Sequence, residues 1–192
     1  VKRKLCVLEA NKMGIHNDPV VAVKIQNRSQ QIFVNESYER FVALPLIPSS
    51  DLEFARHHAK SELFINHILI AYSGSQFANN APRRTLDEAF VLAQQIKKEF
   101  DNGEAFGVLA QKYSDDPSVE KNSGSLGWVE WGATVPEFQL AAFGLGVGVL
   151  SAPVSTIFGY HLILIAEKRL SDVQYLEGDA YESFIVNITK NS

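Results

Sequence analysis

The sequence predicts an α+β protein, a helical segment leading into a domain whose antiparallel sheet is wrapped by helices. Three observations carry this. Residues 1–62 hold amphipathic stretches broken by helix start and stop signals, with no strand-like alternation. From Leu63 the pattern reads β-α-α-β-α-β-β. That order lacks the strict alternation of a doubly wound sheet, so the sheet is expected to be antiparallel.

The elements follow in order. Leu5, Leu8, Glu9 and Lys12 belong to a first helix stopped by Gly14. Asp18 is an N-cap and Pro19 takes the first helical position of the next, whose stripe is Val20, Val23, Ile25, Ile32, Val34 and Phe41. The run 46–50 breaks it, and Ser50 with Glu53 reads as a capping box for a short helix through Lys60. Short amphipathic helices cannot bury their apolar faces alone. They must pack on each other, on the later domain or on further sequence.

Phe64 to Tyr72 is rich in apolar and aromatic residues and reads as a buried strand. A polar loop occupies 73–84. Thr85 and Glu88 cap a helix with the stripe Leu86, Ala89, Phe90, Ala93, Ile96 and Phe100, which Asn102-Gly103 ends. A second helix spans 105–113, and 115–127 is a polar loop. Residues 128–131 form a strand, Pro136 opens a helix through Phe143, and 153–156 and 160–167 are the last two strands. After Leu170 the tail is acidic and weakly periodic, a linker or the start of another helical element. The predicted division is therefore 1–62, 63–169 and 170–192.

Bulk properties exclude several classes. At 46% hydrophobic and 21% charged the composition is that of an ordinary globular chain. The net charge of -4 argues against nucleic acid as partner. One cysteine, Cys6, rules out an intrachain disulfide and a cysteine-rich zinc site, and its plain reading is a small residue on a helix face. Cysteine poverty fits an oxidising compartment. No apolar run is long enough to span a bilayer.

Chemistry concentrates at two histidines. His57 and His58 are adjacent and lack a ligand at i+4, so no metal site is expected. His67 and His161 each lie inside an apolar strand, where an imidazole needs hydrogen-bond partners. One such histidine alone would be a satisfied core residue. A pair bordering glycine-rich loops and a threonine marks a candidate site. Gly124-Ser125-Leu126-Gly127 has the wrong spacing for a nucleophile elbow. The glycines at 144, 146 and 148 lack the context of a dinucleotide loop.

At these residues the sequence resembles the parvulin-type peptidyl-prolyl cis/trans isomerase family. The motifs come in the family's order: Asn66-His67-Ile68-Leu69; Phe106 to Ser114 with Asp115-Asp116; Gly124-Ser125-Leu126-Gly127-Trp128; Val135-Pro136-Glu137-Phe138 with Ala142-Phe143; and Pro153 to His161. The resemblance implies a four-stranded antiparallel sheet wrapped by helices. It implies rotation about the bond preceding proline, with no cofactor and no metal. His67, Asp116, Thr156 and His161 match the family's polar positions, with Asp115 the alternative at a register shift of one. Leu126, Phe138 and Phe158 match the wall that holds the proline ring. Two departures stand out: Thr134 where many members have methionine, and Ser125 where the usual turn residue is aspartate.

The first third is similar to the helical chaperone module preceding this domain in extracytoplasmic foldases of bacteria. That likeness implies proline-containing unfolded or nascent secreted polypeptides as partners and a periplasmic or cell-envelope location. The alternative is a parvulin domain of little or no turnover that works as a chaperone or peptide-binding module; the more polar pocket wall at Thr134 keeps it open. The absence of Lys and Arg from 73–82 argues against phosphate recognition.

Overall fold

The computed structural model describes residues 2–76 and 83–190, so the centre of the predicted loop 73–84 lies outside the described residues. The chain forms two compact units, Val1–Pro48 and Ser49–Ser192.

In the first unit, α1 (Lys2–Lys12) ends before Gly14, which takes the left-handed conformation at φ 66°. The Asp18 carboxylate accepts the Val20 and Val21 N–H groups at 2.8 and 3.1 Å, and Pro19 opens α2 (Pro19–Tyr38) as predicted. A π-type turn, Glu39–Ala43, leads into α3 (Leu44–Leu46). Ala43 alone is buried among the described residues of this unit, while Phe33 and Phe41 are 73% and 78% exposed. These helices therefore do not bury a core among themselves.

The second unit opens with α4 (Ser49–His58). Ser50 is not its cap. It lies in the first turn, and its hydroxyl donates to Asp51 at 3.1 Å. Next come β1 (Ser61–Ile70), α5 (Leu86–Asp101), α6 (Phe106–Tyr113), α7 (Val119–Asn122), β2 (Ser125–Glu130), α8 (Pro136–Gly144), β3 (Val154–Thr156), β4 (Gly159–Leu170) and α9 (Gly178–Lys190). The helix α7 is one short turn inside the predicted loop 115–127. The predicted capping box is present, with the Glu88 N–H donating to Thr85 Oγ1 and the Thr85 N–H to Glu88.

The four strands form one antiparallel sheet in the order β2-β1-β4-β3. Helices α5 and α6 pack over Ile68, Ile70 and Leu162, with Ala89, Ala93, Ile96 and Leu109 filling the layer. Each of these large side chains contributes about 1.5–3 kcal/mol by leaving water. The tail packs against α4. Ser171 donates to the Ala59 carbonyl at 3.0 Å, and α9 packs against α4 with Ile185 and Val186 buried. Arg56 and Glu182 pair across these helices at 2.8 Å.

Two glycines are required where strands meet loops. Gly124 has φ 85°, and its carbonyl accepts the His67 N–H at 2.7 Å; a Cβ there would stand 2.6 Å from the His67 carbonyl oxygen. Gly159, at φ 141°, sits against the Ile70 carbonyl just as closely. Both hold the loops that flank the two strand histidines.

Candidate active site

His67 and His161 arise from adjacent strands. In the β1–β4 register His67 faces Ile163 and His161 faces Leu69, so the histidines are diagonal neighbours on one face. Their rings are nearly parallel, tilted by 16° with centroids 5.6 Å apart, and their Nδ1 atoms are 3.3 Å apart. Phe138 stands edge-on to both, at 6.0 Å from His67 and 5.2 Å from His161.

Side-chain hydrogen bonds link the two rings to their neighbours. Asp116 Oδ2 is 2.8 Å from His67 Nε2, so Nε2 carries a proton and donates it to the carboxylate. Nδ1 of His67 and Nδ1 of His161 share a proton between them, one ring donating to the other. His161 Nε2 is hydrogen-bonded to Thr156 Oγ1 at 2.9 Å, and the Thr156 hydroxyl also lies 3.4 Å from the Gly159 carbonyl. The Thr156 oxygen is held by the Phe158 N–H at 3.1 Å. A chain of hydrogen-bond contacts thus runs from Phe158 through Thr156, His161 and His67 to Asp116.

Burial favours the neutral form of His161. It pushes His161 down to about 3, reinforced by the neighbouring His67 and only partly opposed by Asp116. The hydrogen bond from His67, helped by the Ser118 N–H and hydroxyl, holds Asp116 well below the usual carboxylate range. Asp116 is therefore ionised at any ordinary pH.

Asp115 has a different place. Its carboxylate accepts the Ala71 N–H at 2.8 Å and the Arg84 guanidinium at 2.7 Å, while its own N–H donates to the Leu69 carbonyl. Pinned this way, it continues the hydrogen bonding of β1. Its neighbour Asp116 is the carboxylate that faces His67.

Beside this chain lies a cleft of ≈ 390 Å³, lined by His67, Asp116, Leu126, Thr134, Phe138, Phe158 and His161. Seven of the eight predicted side chains line it, and the eighth, Thr156, supports His161 from behind. Leu69, Ala133 and Val135 complete the lining and were not singled out from sequence. Leu69 was legible, since it lies two residues from His67 on the same strand face. Ser125, at the second departure, fills the turn role: its hydroxyl accepts the Gly127 N–H at 3.3 Å.

Gln139 was also missed. It is buried on α8 and accepts a hydrogen bond from the Gly132 N–H, tying the loop that carries Ala133, Thr134 and Val135 to the helix that carries Phe138. Gly132, at φ 92°, abuts Ile188 of α9. No group of ligands suited to a metal ion occurs among the described residues.

A four-stranded antiparallel sheet in this order, wrapped by helices, is the fold of a parvulin-type domain. Residues 53–169 match the PPIC-type PPIASE domain, and the chain belongs to that family. The Chaperone SurA of Chromohalobacter salexigens is 37% identical over 133 residues, covering 69% of this chain and 29% of its own length. The Foldase protein PrsA of a Geobacillus strain is 47% identical over 77 residues, 40% of this chain and 28% of its own. The chain thus spans under a third of the length of these curated relatives. Among solved structures, Peptidylprolyl Isomerase (PrsA) from Bacillus cereus superposes with a TM-score of 0.54 at 25% identity, covering 99% of this chain and 66% of that one.

Proposed function

We propose that this protein catalyses cis/trans isomerisation of the peptide bond preceding proline in unfolded polypeptides outside the cytoplasm. The observation that carries this reading is the juxtaposition of an apolar cleft at Phe138 with the hydrogen-bonded His67–His161 pair and the ionised Asp116. Membership of the PPIC-type family and likeness to a chaperone and a foldase support it.

The chemistry needs no bond to break. The barrier is amide resonance, about 18–20 kcal/mol, so a catalyst must favour the twisted bond over the planar one. Phe138, Leu126 and Phe158 hold the proline ring while the chain on the other side of the bond rotates. In the planar amide the carbonyl oxygen is electron-rich. Twisting drains charge from it and localises the nitrogen lone pair. An ionised Asp116 beside that oxygen disfavours the planar form, an electrostatic effect fixed in advance by its bonds to His67 and Ser118. The histidines act as scaffold: hydrogen-bonded to each other, to Asp116 and to Thr156, they fix the carboxylate and the Phe138 edge and transfer no proton.

The first unit is proposed to act as the chaperone-like part, its exposed apolar residues contacting client chains. Among the described residues no helix is long and apolar enough to cross a membrane. One observation favours a second reading, a domain that binds without useful turnover: Thr134 puts a hydroxyl in the cleft wall. A protease-coupled prolyl assay run beside an aggregation assay separates the two. Acceleration of cis-to-trans conversion that depends on Phe138 supports the isomerase. Suppressed aggregation with no acceleration would establish the binding module instead.

A further inference from the structure

A second groove, of ≈ 580 Å³, opens beside the cleft and shares Leu126, Ala133 and Thr134 with it as a common wall. Its remaining lining is Glu62, Trp128, Val129, Glu130 and Arg169. Glu62 on β1 and Glu130 on β2 are direct cross-strand partners, which sets two carboxylates side by side. Arg169 of β4 neutralises one of them. Its guanidinium reaches Glu62 at 2.6 Å and lies over the Trp128 ring, 4.0 Å from the ring centre. Held by both, it is committed. Glu130 is exposed and has no ion-pair partner among the described residues. The groove therefore carries one surplus negative charge. It also shows, with Arg169, how a cation is seated there between an indole face and a carboxylate.

Two features make this groove part of the substrate path. The shared wall means that a chain with its proline against Phe138 runs directly into it. The groove also follows β2, an edge strand, along which an extended chain can lie. A residue advances an extended chain by roughly 3.3 Å, so the occupant is within a few positions of the proline.

We propose that this groove is a specificity subsite for a basic side chain flanking the substrate proline, with Glu130 as its anionic contact. The proposal rests on the isomerase reading for its register but not for its chemistry. Leu126 and Ala133 of the shared wall supply the apolar contact for the aliphatic stem of the Lys or Arg, and Glu130 meets its charged end.

The test uses the full chain and peptides that place Lys, Ala or Glu at positions before and after one proline. Exchange spectroscopy gives kcat/KM, and titration of the same peptides gives Kd. Peptides with Lys are expected to exceed their Glu counterparts by about two- to fivefold, the scale of one exposed ion pair. The ranking should vanish in Glu130→Gln, weaken with salt, and persist in Glu104→Gln, an exposed charge change in the loop before α6. Turnover without that ranking, or a ranking that survives Glu130→Gln, overturns the subsite. If no peptide is turned over, the isomerase reading fails and the Kd series decides the subsite: a Lys preference lost in Glu130→Gln sustains it, and equal affinities overturn it.

Discussion

Neighbouring aspartates in one turn do different work here. Asp116 faces His67 in the cleft, whereas Asp115 ties Ala71 and Arg84 to the turn. Asp116→Asn is therefore expected to lower kcat/KM about tenfold or more with little change in fold, the scale of losing a placed electrostatic group. Asp115→Asn should lower stability by about 1–3 kcal/mol while the folded fraction keeps its turnover. Urea melts combined with activity per folded molecule check both. From sequence alone the pair was ambiguous, because a shift of one residue in a loop leaves no trace in hydropathy. Only the Asp115 N–H to Leu69 bond sets the register.

His161 gives a pH prediction. Its folded pKa, about 3, lies below the ordinary histidine value, so the unfolded chain binds the extra proton between about pH 6.5 and 3. Stability is then greatest above pH 6.5 and falls as pH drops toward 3. Asp116, also depressed, adds its own loss in the same direction, but only below about pH 4 where the unfolded carboxylate titrates. His58, lowered by burial beside His57 and Lys168, contributes with the same sign in the upper window. Unfolding free energies measured from pH 7 to 4 should therefore slope downward in the wild type. The slope should be shallower in His161→Asn, whatever that variant's stability at neutral pH.

At the scale of elements, local signals were readable and distant partners were not. Asp18-Pro19, Thr85 with Glu88, Asn102-Gly103 and Pro136 each mark a boundary that the structure keeps, because caps and breakers act within one helical turn. Thr85→Ala should accordingly cost about 1 kcal/mol in thermal or chemical unfolding. Ser50 misled for the same local reason: it has the right spacing to Glu53, but the helix already starts at Ser49. The packing of α9 on α4 joins Ile185 to residues more than a hundred positions earlier, and nothing in a weakly periodic tail announces that. Ile185→Ala, at a fully buried position, is expected to lose about 2–5 kcal/mol. Its effect should extend to the cleft, since α9 also abuts Gly132 in the loop that carries Thr134. Gln139 was invisible for a related reason. A glutamine in a short helix reads as surface, and only the folded loop gives it the Gly132 N–H to accept.

On the whole molecule, the proposed function assigns a separate task to each of the two compact units. The second contains the sheet, its helical layers and every residue of the cleft. The first leaves large apolar side chains exposed, which suits transient contact with unfolded chains. A protein comprising residues 49–192 should therefore unfold cooperatively and keep its turnover on short proline peptides, while losing most of its suppression of client aggregation. Retention of full suppression without residues 1–48 would assign that activity to the second unit.

The cleft beside Phe138 is expected to turn over proline peptides, and two-dimensional exchange NMR on one proline-containing peptide reads that turnover. Cis and trans resonances of the peptide should exchange on the subsecond timescale with catalytic protein, against tens of seconds without it. Chemical-shift changes should centre on His67, Phe138 and His161, and Phe138→Ala should cut the exchange about ten- to a hundredfold, the worth of one aromatic contact to the ring. Exchange that stays at the uncatalysed rate, or that survives Phe138→Ala with shifts elsewhere, would contradict the account.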